Sequence, residues 1–292
     1  MGIRKLKLDD KTALEIFLKK HADTSMFLRS NLRHSGIGYQ DKPFHGDYFA
    51  SFDHSGHING VLAHYWNGNI MMQSPDLDIL TSLVDVFKNS MSRGIAGILG
   101  DESQANLVIN RLGLSEANYD INYPDGLYTI ELHNFTPTLN INNPHYEMLP
   151  AKNCDKELLF EWLSSYHVEA LGADPSNNIL MERIRHEVNS TMEGNDRFVL
   201  KVQGNPVCLC GFNAKLPDIV QIGPVWTPVK DRNNGYARIL LALCLIEAKI
   251  SGVNRAVLFT NNPAAIRAYQ SLGFKKTGEY RLAILKGMVD LL

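Results

Sequence analysis

The sequence predicts an α+β (α/β) chain built from two tandem copies of one fold. Three observations lead to this reading. At 292 residues, 45% of them hydrophobic, the chain is about twice the usual single-domain length and can fill two separate cores. The order of elements in its first half returns in its second, as duplication would leave it. Between the halves lies His133-Asn-Phe-Thr-Pro-Thr-Leu-Asn-Ile-Asn-Asn-Pro144, where two prolines and four asparagines discourage regular structure. The expected domains are therefore residues 1–135 and 145–292.

In the first half, residues 3–8 alternate like a strand, and Asp9 or Asp10 can cap a helix running to about Lys20. The polar segment from His21 to Asp47 offers no strand. Residues 46–53, the turn His54-Ser-Gly-His57, residues 58–66 and the turn Asn67-Gly-Asn69 predict an antiparallel meander. A helix from about Asp76 to Ser90, a strand at 94–100, a helix from Asp101 to Leu112 and a last strand near Leu127–Leu132 follow. The second half reads as a strand at 146–149, helices at 155–170 and 178–193, and strands at 197–203, 207–214 and 219–225. A core helix, a strand at 255–260, a helix carrying Tyr269 and a closing pair of strands complete it.

The most informative stretch runs from Ile222 to Ser251. A strand interrupted by Pro224 and Pro228 gives way to a polar loop, and the loop opens into a helix with Ile239, Leu243, Ile246 and Ile250 on one face. The first N–H groups of such a helix have no partner within it. They suit an anion. The helix dipole adds roughly half a positive charge there, and Lys230, Arg232 and Arg238 add whole ones. Asn233, Asn234 and Gly235 are the residue types that reach left-handed backbone most cheaply, as a loop wrapped around phosphate oxygens requires. Neither proline can donate to a strand ladder, so pairing should fail on at least one side of this strand and leave room for a ligand.

Residues 232–237 read Arg-Asn-Asn-Gly-Tyr-Ala, and Asn262-Pro-Ala-Ala-Ile-Arg-Ala-Tyr269-Gln-Ser-Leu-Gly273-Phe274 follows about 30 residues later. Together and in this order they resemble the two signatures of the GCN5-related N-acetyltransferases: Arg/Gln-x-x-Gly-x-Gly/Ala and Asn-x-x-Ala-x-x-x-Tyr-x-x-x-Gly-Phe. The resemblance covers roughly residues 145–285. It departs from the pattern at Asn233, where many members carry glycine. It implies that family's fold, with a mixed, mainly antiparallel central sheet in each copy, and it implies acetyl-CoA as cofactor. The pyrophosphate would lie on Arg232, Asn233, Asn234, Gly235, Tyr236, Ala237 and Arg238, and the pantetheine arm beside Val225, Trp226 and Thr227. Asn262 would help to hold the cofactor.

The implied activity is acetyl transfer to a primary amine, small-molecule or peptide, by direct attack in a ternary complex. Tyr269 would protonate the departing thiolate. For the base, Glu169 near the end of the first helix of the second half is the leading candidate, with His167 and Glu187 as rivals. Other acyl or aminoacyl transfer, and non-catalytic CoA binding in a regulatory protein, are the competing expectations. The matching junction of the first half, Met71-Met-Gln-Ser-Pro-Asp76-Leu-Asp78, has no Arg or Gly and carries two carboxylates that would repel pyrophosphate. The counterpart of the second signature, Gln104 to Gly113, lacks the tyrosine. The first half thus reads as a degenerate copy that buttresses the second and walls its substrate cleft.

Net charge is −2, with Lys and Arg scattered along the chain, which argues against nucleic acid and against a polybasic membrane anchor. The longest apolar run, Ile239–Ile246, is too short for a span, and no signal-peptide core is evident, so a cytoplasmic protein is expected, with a homodimer allowed. Four cysteines include Cys208 and Cys210, which share one face of a predicted strand and read as buried thiols. No metal motif is present, and no metal is expected.

Overall fold

The computed structural model describes residues 2–176 and 178–291. The chain divides into two compact units, Met1–Leu127 with Lys276–Leu292, and Tyr128–Lys275.

The first unit begins with β1 (Gly2–Lys5), α1 (Lys11–Lys19) and α2 (Met26–Ser35), followed by β2 (Gly46–Phe52), β3 (Ile58–Tyr65) and β4 (Asn69–Gln73). Then come α3 (Leu77–Ser90), β5 (Ile95–Asp101), α4 (Glu102–Arg111) and β6 (Tyr119–Glu131). Strands β1 to β4 pair antiparallel, while β4 and β5 run parallel because α3 carries the chain back across the sheet. Asp53 holds the β2–β3 turn by accepting from the N–H groups of Ser55 and His57. Leu62, Ile70 and Ile98 of the sheet pack with Leu80, Leu83 and Val84 of α3 and Val108 of α4.

Helix α2 lies in the polar segment that the sequence left without structure. Its buried positions include Arg29, Ser30 and Asn31 alongside Met26, Leu28 and Leu32. Arg29 is only 2% exposed and is paired with Glu15 of α1 at 2.7 Å. A helix whose inner face is half polar shows no apolar stripe, so its period is hidden in the sequence.

The second unit contains β7 (Tyr146–Pro150), α5 (Lys156–Leu171), α6 (Asn178–Glu193), β8 (Arg197–Val202), β9 (Asn205–Lys215) and β10 (Ile219–Trp226). It continues with α7 (Tyr236–Ile250), β11 (Arg255–Thr260) and α8 (Pro263–Ser271). The pairing pattern of the first unit recurs, with β7 to β10 antiparallel and β10 parallel to β11 across α7. Period-two alternation decides which face each residue serves. On β9, Leu209 faces Trp162 and Leu163 of α5 and Val188 of α6, whereas Cys208 and Cys210 face Leu241, Cys244 and Leu245 of α7. All four cysteines are free thiols, and three of them are buried.

The expected domain limits and the closing strand pair need correction. After α8 the described residues form one strand, β12 (Lys275–Val289), which pairs antiparallel with β5 from Tyr280 opposite Asp101 to Ile284 opposite Gly97. From Lys276 onward it belongs to the first unit, not to the second half as expected. Conversely, β6 crosses into the second unit at Tyr128 and is the neighbour of β11. Leu132 N–H donates to the Asn254 carbonyl at 2.7 Å, and Arg255 reaches Glu131 at 2.6 Å. Each unit thus takes its last strand from the other half of the sequence. A strand's own residues set which face is buried but not which edge it joins, so this exchange could not be read in advance.

Candidate active site

Strands β10 and β11 pair only from Ile219 opposite Arg255 to Gln221 opposite Val257. Beyond that point β10 runs on to Trp226 and β11 to Thr260 without joining. On its other side β10 stays with β9 through a register shift between Ile222 and Val225, the stretch that contains Pro224. The failure of pairing expected from the prolines is therefore present, and it opens a gap towards β11. Val225 and Thr227 are half-buried at this end, and Trp226 is buried, its indole N–H having no partner among the described residues.

Past the gap, Val229–Asp231 form a single 3-10 turn and the chain enters the predicted anion loop. Asn233 and Gly235 both take left-handed backbone, at φ 65° and 77°. Asn234 braces the loop from within by donating through Nδ2 to the carbonyls of Asp231 and Arg232, each at 3.1 Å. No side chain caps α7, and among the described residues no acceptor meets the N–H groups of Asn234 to Ala237. A Cβ on Gly235 would meet only Arg238 Nη2, at 3.8 Å, so the space in front of the helix is open. Tyr236 turns inward and meets Tyr146 edge to face. A left-handed turn, unpartnered amides and the flanking Lys230 and Arg238 suit a phosphate-bearing anion.

The corresponding place in the first unit is closed. Asp76 caps α3, accepting from Asp78 N–H at 2.8 Å and Ile79 N–H at 3.3 Å. Gln104, from α4, accepts the Ser74 N–H at 2.7 Å. Two amides of the first turn of α3 and that of Ser74 are thus already used. The sequence exposed the carboxylates; nothing in it signalled the role of Gln104.

Tyr269 on α8 is 8% exposed, and its hydroxyl has no hydrogen-bond partner among the described residues. Burial pushes its pKa up, with Cys210, Tyr166 and Cys208 adding to the rise, so the hydroxyl keeps its proton and can donate. Thr227 Oγ1 donates to Cys208 Sγ at 3.3 Å, linking the end of β10 to this cluster. Asn262, expected at the cofactor, caps α8 by accepting from Ala264 and Ala265 N–H at 2.9 and 3.2 Å. Its oxygen therefore orients the helix that carries Tyr269.

Of the candidate bases, Glu169 and His167 lie on the last turns of α5 and Glu187 on α6, and each has a partner. Glu169 makes a two-point ion pair with Arg232, Oε1 to Nη1 at 2.6 Å and Oε2 to Nη2 at 2.9 Å. His167 Nε2 lies 2.8 Å from Glu187 of α6, whose other oxygen takes Arg197 Nη2 at 2.5 Å. Burial pushes the Glu187 carboxyl up, but His167 and Arg197 outweigh it and leave its pKa below the ordinary value. The sequence supplied both rivals without showing that they touch, because residues 20 apart on two helices carry no spacing signal. Among the described residues no group of three or more His, Cys, Asp or Glu is placed to hold a metal. No described helix is long and apolar enough to cross a membrane.

Residues 157–274 match the model of the acetyltransferase (GNAT) family. A GCN5-related N-acetyltransferase from Sphaerobacter thermophilus superposes over 99% of this chain and 98% of its own at a TM-score of 0.59 and 15% identity. A GNAT-family acetyltransferase from Colwellia psychrerythraea does so over 98% and 100%, at a TM-score of 0.55 and 15% identity. A tandem GNAT protein from the clavulanic acid biosynthesis pathway covers 99% of each chain at 0.52 and 10% identity. A search of curated proteins returned no match. The second half of the chain thus carries an acetyltransferase (GNAT) family domain at residues 157–274, and the chain has the fold of these full-length structures over nearly its whole length.

Proposed function

We propose that the protein is an acetyl-CoA-dependent N-acetyltransferase that acetylates a primary amine by direct attack in a ternary complex, using one cofactor per chain. The observation that carries this reading is the contrast between the uncapped, left-handed entrance to α7 and the capped entrance to α3. Bound acetyl-CoA would supply an activated acetyl thioester.

The chain's own residues supply the rest. The amides from Asn234 to Ala237, with Lys230, Arg232 and Arg238 nearby, hold the pyrophosphate. The unpaired edge of β10 from Val225 to Thr227 offers main-chain groups to the pantetheine arm in the gap towards β11. Tyr269 keeps its hydroxyl proton through burial and delivers it to the departing sulfur. The amine must lose a proton to attack, since a lysine-like amine has a pKa of about 10.4. Glu169, and His167 backed by Glu187, are the groups on α5 that can receive it.

Calorimetric titration of the full chain with CoA tests the cofactor, with a stoichiometry of one expected and two sites counting against the reading. A screen of amines, amino acids, polyamines and aminoglycosides for release of free CoA tests the chemistry. No release with any amine, in a chain that binds CoA, would favour a binding protein.

A further inference from the structure

We infer that Glu169 sets the affinity for the cofactor by competing with its pyrophosphate for Arg232; this rests on the cofactor reading above. Arg232 stands in the anion loop, yet its guanidinium is already engaged. Both terminal nitrogens are on Glu169 at 2.6 and 2.9 Å, Nε donates to the Thr227 carbonyl at 3.0 Å, and the group lies over the Trp226 ring at 4.9 Å. A planar guanidinium fork fits a carboxylate and a phosphate in the same two-point way, so the two anions compete for the same donors.

The pair is built to open. Its side chains are 34% exposed for Arg232 and 51% for Glu169, and an exposed pair of this kind shifts an equilibrium by no more than about fivefold. A pyrophosphate offers more charge than one carboxylate and also meets the amides of α7, so it should take the fork. Glu169 also sits two residues before Leu171, the last residue of α5, where the helix dipole disfavours negative charge. Arg232 relieves that strain until the cofactor claims it. Glu169 is thus a positioning residue that acts through Arg232.

The test is a double-mutant cycle on the full chain, with CoA affinity measured by calorimetry for wild type, E169Q, R232Q and the double variant. Gln keeps the shape of Glu and removes its charge. E169Q should bind CoA about two- to fivefold tighter, R232Q should bind it more weakly, and E169Q should change nothing further when Arg232 is already Gln. A merely structural Glu169 would not tighten binding. Unchanged or weaker binding in E169Q, or the same tightening in the R232Q background, overturns the inference. Lost turnover with unchanged CoA affinity in E169Q would also overturn it, and would assign Glu169 as the base. A wild-type chain that binds no CoA refutes the cofactor reading itself.

Discussion

Replacing Gly235 by Glu puts a side chain and a negative charge into the proposed pyrophosphate site, and the structure separates its effects on fold and on binding. A Cβ at this position meets only Arg238 Nη2, at 3.8 Å, so steric crowding adds nothing. The backbone is left-handed at φ 77°, which costs a non-glycine residue roughly 1–2 kcal/mol. In a domain of this size that lowers Tm by about 2–8 °C. The charge matters more for binding. A carboxylate about 4 Å from one phosphate charge is opposed by about 1 kcal/mol in bulk water and about 4 kcal/mol near a protein surface. CoA affinity should therefore fall roughly 5- to 1,000-fold. Gly235→Ala carries the same backbone cost without the charge, and should lose less affinity for a similar loss in Tm. Calorimetric titration and thermal unfolding of both variants provide the comparison. A folded Gly235→Glu chain that binds CoA as tightly as wild type would show that the phosphates bind elsewhere.

Three further outcomes can be checked. Tyr269→Phe removes a hydroxyl that has no partner among the described residues, so stability should change by about 1 kcal/mol or less while kcat falls roughly 10²- to 10⁴-fold at unchanged CoA affinity; full turnover would make Tyr269 a packing residue. Asp76→Ala removes the cap of α3 and should cost about 0.5–2 kcal/mol of stability, yet calorimetry should still count one CoA per chain, because Gln104 continues to hold the Ser74 N–H. Burial, with the Arg93 charge, holds the pKa of His64 down to about 4 from the ordinary 6.5. As pH falls through 6.5 the unfolded chain therefore takes up a proton that the folded chain refuses, and stability should drop between pH 6.5 and 4 by up to about 1.4 kcal/mol per pH unit. His64→Gln should flatten that part of a stability–pH curve measured by urea unfolding, and an unchanged slope would show that His64 is not the group responsible.

By itself the sequence determined the parts that local chemistry controls. The alternation of β2, β3 and β9 and the carboxylate at the start of α3 follow from neighbours a few residues apart. So does the left-handed turn at Asn233 and Gly235, since few residue types go there cheaply. The contrast between the two helix entrances was legible for the same reason. Helix α7, however, buries Leu241, Cys244, Leu245 and Ala248 and leaves Ile250 of the expected apolar face 76% exposed. Tertiary structure decided what depends on partners distant in sequence. Helix α2 was invisible because its inward face is half polar and is satisfied by Glu15, which lies on another helix. The exchange of last strands, β12 to the first unit and the end of β6 to the second, turns on which sheet edge is free, and no strand's own residues encode that. Glu169 on Arg232, His167 on Glu187 and Gln104 on Ser74 are likewise side chains from separate elements. A charge in the sequence announces that it needs a partner, but only the packing of the elements determines which partner it finds.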